Sequence, residues 1–491
     1  MTLHLVYPVA VPLGTAIICV ALRGRPRGLR VVSLLSNASL VAYVMGKLWP
    51  LLSEYGVVVL RIGGWPGITL AADLLSGVML SLSAIVGLIV AVYAAAWMAE
   101  SAEETFFYPL YHTLLMGVNG SFLTGDVFNL YVFFEVMLVS SFALLALGGE
   151  RRQIEGTVKY LAMSQISSVL FLVGAGLLYG TTGTLNMADL GRKLATPEAG
   201  PYTAVAARLF LVAFGIKAAV FPLFFWLPAS YHTAKTPITA FFGGLLTKVG
   251  IYALCRFYTL LFPAHWLAQR DLLLGIAGLT MVIGVLGAVA QSDVKRLLSF
   301  HIISQIGYLI MGLGLSSPLA MAATLYFMIH IVLVKTGLFL IAGLVEQLTG
   351  TTDLHAMGGL LRGRPGVACL FLLGALSLAG LPPLSGFYAK LGLVLAGIQS
   401  EEYWVVAVAL GVSMLTLYSM TKIWTQAFMR EAPATIRAES RPHPALYVGA
   451  LGLVAVAVAA AGGAAPLYEI AQRASQQLAD SSLYLVAVLG K

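Results

Sequence analysis

The chain has 491 residues, of which 59% are hydrophobic and only 10% charged, and its mean hydropathy is +0.90. Soluble proteins carry about 25% charged residues, which excludes the roughly three soluble domains that this length would otherwise suggest. The formal charge of +8, from 29 Lys+Arg against 21 Asp+Glu, fits basic membrane-flanking loops better than a nucleic-acid surface. Apolar segments able to cross a ~30 Å hydrocarbon core as helices recur from end to end. They lie near 3–22, 31–53, 73–98, 107–125, 127–149, 157–180 and 203–227, then 237–259, 272–291, 297–314, 317–345, 366–398, 403–428 and 443–463. The pattern predicts an all-α polytopic membrane protein of fourteen helices, with 1–491 forming a single transmembrane domain.

Arg23, Arg25, Arg27 and Arg30 follow the first span and no basic residue precedes it. A cleaved signal peptide has its charge in front, so this span is expected to be retained, with its N-terminus outside. Alternating from there, the cytoplasmic loops collect 16 Lys+Arg and the opposite loops 8. That bias predicts both termini outside. Glu100, Glu103 and Glu104 lie in a cytoplasmic loop, but acidic residues weigh little in the rule. The longest hydrophilic stretch, 181–202, reads as a short external loop. With neither G-x-x-x-x-G-K-[ST] nor a strand-to-helix G-x-G-x-x-G, nucleotide-driven transport on this chain is excluded. Cys19, Cys255 and Cys369 stand far apart in apolar stretches and read as small buried hydrophobes.

The charges inside the spans carry the functional signal. An ionisable residue at mid-membrane costs about 2.5–3.5 kcal/mol on insertion scales and marks an ion or proton pathway by default. Glu135 is central in the fifth span, Lys217 in the seventh, Lys248 in the eighth, His330 and Lys335 in the eleventh, and Lys390 in the twelfth. Lys47, near a span end, reads as a snorkelling side chain. One central carboxylate cannot neutralise four ammoniums. Burial disfavours a lysine's charged form and a nearby carboxylate favours it. A row of partly paired lysines is therefore a set of sites that can lose and regain a proton.

Prolines sharpen the pattern. Lys217 is followed by Pro222 and Pro228, and Lys390 is preceded by Pro382, Pro383 and Gly386. A proline breaks the helix ladder, and a broken helix at membrane depth must line a packed or wet cavity. The two broken spans are five spans apart. This predicts five-helix repeats over 107–259 and 272–428, inverted because each has an odd number of crossings. His301, Ser304, Gln305 and Tyr308 share one face of the tenth span, and Ser164, Gln165, Ser167 and Ser168 cluster on the sixth. These, with His232 of SYHTAK, could line a wet path, and helix–helix hydrogen bonding explains them equally well. His232 and His265 show no metal-ligand spacing.

On these motifs the chain resembles the antiporter-like subunits shared by respiratory complex I, membrane-bound hydrogenases and Mrp-type cation/proton antiporters. The segments TGDVFNLYVFFEVMLVSSFALL, WLPASYHT and LLTKVGIYALCR look most like the Mrp D type. Ser230 and Tyr231 depart from the Asp-Ala that complex I relatives have before the matching histidine, and AKTP replaces a Pro-rich run. The resemblance implies a subunit of a hetero-oligomeric Na⁺(K⁺)/H⁺ antiporter, multi-pass in the cell (inner) membrane, partnered by other membrane subunits. It further implies a secondary transporter rather than an enzyme, with no cofactor or metal expected. It also implies that Glu135 and Lys217 form a switchable ion pair and that Lys248, His330 with Lys335, and Lys390 continue a lateral proton path. The alternatives are a proton-pumping subunit of a complex I-type or hydrogenase complex, and a scaffold whose charges only hold helices together.

Overall fold

At membrane depth every backbone polar group must be satisfied within the protein, and this chain meets that demand almost wholly with helices. The computed structural model describes residues 3–63, 67–99, 101, 103–195, 202–431 and 442–490. Glu100 and the stretches 196–201 and 432–441, which belong to predicted loops, lie outside the described residues. The long helices are α1 Leu3–Ala21, α2 Pro26–Tyr55, α3 Leu74–Trp97, α4 Glu104–Leu123, α5 Val127–Leu145, α6 Arg151–Thr182 and α7 Tyr202–Ala218. They continue as α8 Thr236–Leu260, α9 Arg270–Val289, α10 Val294–Leu315, α11 Pro318–Thr349, α12 in two pieces (Pro365–Ala379 and Ser385–Gln399), α13 Tyr403–Met429 and α14 Pro444–Gly462. Among the described residues eleven of these, all but α4, α7 and α12, are long and apolar enough to cross a membrane.

Local chemistry sets the helix ends. Asp73, Asp126 and Asp293 cap α3, α5 and α10 by accepting from the backbone N–H three residues on, at 2.9, 2.8 and 2.8 Å, which satisfies an otherwise orphaned donor. A capping box of Glu150 and Gln153 starts α6 at Arg151, ahead of the predicted 157. Left-handed Gly183 and Gly350 end α6 and α11, both of 32 residues. Two matching bridges join the caps of α5 and α10 to the segments that follow α6 and α11, Asp126 with Asn186 and Asp293 with Asp353.

The core differs from a soluble one in where its polar groups lie. The most apolar stretches of α8 and α11 are wholly buried and that of α10 nearly so, whereas fewer than half the residues in those of α1, α2, α6 and α13 are buried. The central helices are the ones carrying Lys248, His301, His330 and Lys335. Three parts depart from the sequence expectations. An antiparallel hairpin, β1 Val58–Ile62 with β2 Ile68–Ala72, fills the connection between α2 and α3. The expected loop 181–202 holds a helix, Met187–Leu194, capped by the Asn186 side chain. Beyond α14 run α15 Ala464–Ala479 and α16 Ser482–Leu489, with α15 packed across α11. Cys369 is exposed on the outer face of α12, unlike buried Cys19 and Cys255.

Arg256, counted with the loop charges above, is buried in α8 and paired with Asp73 at 2.7 Å. The Tyr252 and Tyr484 rings flank its guanidinium at 5.6 and 5.2 Å. Removing one partner of such a pair costs about 3–5 kcal/mol, because the other is left charged and alone. Arg256→Met should therefore lower the thermal unfolding midpoint of the purified protein clearly. Adding Asp73→Asn should cost less than the two single changes together. An unchanged midpoint in Arg256→Met would show that the pair contributes nothing to stability.

Candidate functional site

A helix C-terminus carries a partial negative charge and favours a nearby cation. Two of the predicted lysines stand at such ends, each made by a helix break. Lys217 is the penultimate residue of α7, which stops because Ala219 is left-handed (φ 60°) and Pro222 follows. The Ile216 carbonyl accepts from Ala219 N–H at 3.1 Å and from Trp226 Nε1–H at 3.0 Å, and Phe221 N–H donates to Thr280 Oγ1 at 3.0 Å. The helix end lies directly on α8, where a Cβ at Gly250 would come within 2.8 Å of the Ala218 nitrogen. Only glycine permits that approach.

Lys390 lies just beyond the break of α12. Its Nζ donates to the Ala379 carbonyl, the last residue of the first piece, at 2.9 Å and to Ser413 Oγ at 3.0 Å. The Tyr308 ring is 5.1 Å away, and the Tyr308 hydroxyl bonds Ser413 Oγ at 2.8 Å. Gly380, with φ +92°, ends the helix where a Cβ would meet Lys390 Cδ at 2.8 Å.

Between these ends lie the other two lysines. A π-turn at Phe242–Leu246 of α8 offers the Gly243 carbonyl, which accepts from Lys248 Nζ at 2.7 Å. Lys335 Nζ donates to the Leu298 carbonyl of α10 at 3.3 Å. His330 Nδ1 is 2.9 Å from Ser385 Oγ, at the start of the second piece of α12. Helix contacts run α7 to α8, α8 to α11, and α11 to that second piece. Lys217, Lys248, His330 with Lys335, and Lys390 thus stand on four consecutively touching elements.

Glu135 on α5 stands at the other end of the row, half-buried, and accepts from Ser168 Oγ of α6. It makes no ion pair with Lys217 among the described residues, and Lys217 Nζ is buried with no hydrogen-bond partner. The expected Glu–Lys pair is therefore open in this conformation, with the carboxylate held by a serine. Buried ion pairs occur instead at Asp73–Arg256 and at Lys295–Glu346, the latter at 2.6 Å with Lys295 buried and Glu346 about one-third exposed.

The predicted polar lining divides. His301 Nε2 meets Ser419 Oγ at 2.7 Å, whereas Ser304 Oγ and both polar atoms of Gln305 are buried with no partner. His232 lies in the 3₁₀ turn Tyr231–Thr233, half-buried, and burial holds its imidazole below the usual value against the pull of Asp293. Gln165 faces outward, so it is not part of the lining, while Ser164, Ser167 and Ser168 are buried. Sequence reasoning missed Ser413, Ser419 and Ser385. The first two, with Thr416, recur every three residues on α13, as His301 and Tyr308 recur seven apart on α10, so one polar face matches another.

Residues 124–416 match the family described as "NADH:quinone oxidoreductase/Mrp antiporter, TM". The chain is 46% identical over 439 residues, 89% of each chain, to the D-type subunit of the Na(+)/H(+) antiporter of Alkalihalophilus pseudofirmus. It superposes on a chain of the Mrp complex from a Dietzia species with TM-score 0.92, at 34% identity over 100% of both chains. A chain of the membrane-bound sulfane sulfur reductase, an archaeal respiratory membrane complex, matches with TM-score 0.91 at 27% identity over 99% of each.

Proposed function

The chain belongs to the NADH:quinone oxidoreductase/Mrp antiporter family, and on that footing we propose that it is the D-type membrane subunit of a multisubunit Na⁺(K⁺)/H⁺ antiporter in the cell membrane. Its task is to carry protons along Glu135, Lys217, Lys248, His330 with Lys335, and Lys390. The carrying observation is the row of four buried lysines on touching helices, none of them in an ion pair among the described residues. A structural charge network would be paired throughout, because an isolated buried charge is costly. A relay needs members that can be charged or neutral in turn. Neutral carbonyls and hydroxyls around Lys248, Lys335 and Lys390 accept from either form of the amine. The partnerless polar atoms of His301, Ser304, Gln305 and His330 can bond internal water, the usual partner of such groups.

The path requires a crossing for each of the fourteen predicted spans, with α4 and α7 as crossings and α12 as one broken crossing. The two five-helix repeats, 107–259 and 272–428, are supported by the paired Asp126–Asn186 and Asp293–Asp353 bridges and by the equal lengths of α6 and α11. Each repeat then contributes one broken helix to the path, from opposite directions. Cysteines placed in 23–30 or 432–441 should be labelled only from the cytoplasm, and one in 188–200 only from outside. Any reversal would overturn both the orientation and the inversion.

The fold likeness to an archaeal respiratory complex supports a second reading, a redox-driven proton pump. The higher identity to a cation antiporter subunit along most of the chain favours the first. Mass spectrometry of the intact detergent-solubilised complex decides between them. Co-purifying antiporter subunits without redox subunits support the proposal, and flavin- or iron–sulfur-bearing partners would contradict it.

A further inference from the structure

Away from the lysine row, two adjoining cavities, one apolar and one of mixed lining, open on the bundle surface. One, of about 490 Å³, is apolar, with Leu82 of α3, Ile329 and Leu333 of α11 and Ala460 of α14 buried on its floor and Met45 of α2 exposed at its rim. The other, of about 540 Å³, mixes Ser53, Gln477, Arg473 and Asp480 with Leu52, Leu74 and Leu483. Trp49 and Ile470 line both, so the chambers meet along these two side chains. The indole is fixed at the junction, its Nε1–H donating to Ser81 Oγ at 2.8 Å. A tryptophan at a polar–apolar boundary marks the headgroup level of a bilayer.

The division dictates the ligand. An apolar chamber is a poor place for water and a good one for hydrocarbon. The mixed chamber presents Arg473, in the C-terminal half of α15, and Asp480, the residue just past its end, as two opposite charges. Arg473 is shared with Glu469 at 2.6 Å, both largely exposed, and such an exposed pair is worth little against a phosphate. An apolar slot with both signs of charge at one end matches an amphiphile with adjacent negative and positive groups.

We propose that the joined chambers bind one zwitterionic phospholipid with a primary-ammonium headgroup, its acyl chain against Leu82, Ile329 and Leu333, its phosphate at Arg473 and its ammonium at Asp480. The lipid would seal the flank of α11, the helix bearing His330 and Lys335. None of this depends on which ion the chain moves.

The test is lipid retention by the intact complex purified in mild detergent and read by mass spectrometry after extraction. Wild type should retain phosphatidylethanolamine, and both Ala460→Phe, which narrows the apolar chamber, and Arg473→Ala should retain at least fivefold less at this site. Phosphatidylglycerol added in excess should displace it poorly. In vesicles of brominated-chain phosphatidylethanolamine, wild type should lose more fluorescence than Trp49→Phe, a check that needs no cavity-narrowing variant. Equal retention in wild type and both variants, or equal quenching with and without Trp49, would overturn the proposal. So would a disulfide between a cysteine at Val456 and a partner subunit, since protein would then occupy the chamber. Because the readout is lipid, failure here leaves the transport proposal standing, and failure of transport leaves this one standing.

Discussion

Cation/proton exchange should fall by about 100-fold or more, the contribution of a positioned proton-transfer group, in either Glu135→Ala or Lys217→Ala. The assembled protein should remain. Lys217 is buried without a partner while Glu135 is held by Ser168 on α6, so the two groups are poised apart. Two unit charges brought to ~4 Å gain about 4 kcal/mol at an effective dielectric of ~20. That energy is available each time the carboxylate leaves Ser168 for the ammonium, and it is lost when they separate. Without Glu135 only the partial charge of the α7 end is left to compensate a proton on Lys217; without Lys217 the carboxylate has nothing to switch. The double mutant should be no worse than either single change, because the pair acts as a unit. Glu135→Asp keeps the charge on a shorter arm and should retain partial exchange with an altered pH optimum. Everted vesicles from an antiporter-deficient host, with assembly checked in parallel, give the measurement. Wild-type exchange in both assembled alanine variants would make the pair structural glue.

The second large effect is expected at the far end of the row. Lys390→Ala should suppress exchange to a similar degree without loss of the assembled complex. Its removal leaves the surrounding bonds in place, since the Tyr308 hydroxyl still reaches Ser413 Oγ and the Ala409 carbonyl at 2.8 and 2.5 Å. Ser413→Ala removes one hydrogen bond to a charged group, worth about 1.5–3 kcal/mol, and should slow exchange about 10-fold. A graded pair of effects, Lys390→Ala above Ser413→Ala, distinguishes a relay site from a packing contact. If vesicles bearing Lys390→Ala exchanged ions as wild type does, the path would not need this residue.

Much of this was legible in the sequence, for reasons that differ by feature. Membrane length is imposed by the bilayer, so spans such as 73–98 and 237–259 lie within a residue or so of α3 and α8. Buried lysines are legible because charge at that depth is too costly to be incidental. Their partners are not. Ser168, Ser385 and Ser413 resemble any small residue that lets helices pack, and only tertiary geometry brings them to Glu135, His330 and Lys390. Nor could the sequence say whether Glu135 and Lys217 are engaged or apart, since that is a side-chain choice between two available partners. Arg256 was misread for a related reason. Near a span end it looks like a loop charge, and its burial depends on Asp73 of α3 and on Tyr484 of the C-terminal helix α16. The hairpin and the helices after α14 were missed because strands of five residues and a helix lying across others leave no spanning-length signal.

Cation-driven proton flux through the purified complex in proteoliposomes, wild type against Lys248→Met, tests the central claim most directly. Lys248 is the buried link between the two halves of the row, and methionine matches its volume without a proton to exchange. With every subunit present, the relay requires that an imposed Na⁺ or K⁺ gradient move protons in wild type and about 100-fold fewer in the variant. Equal flux in the two preparations would contradict a proton path through this chain.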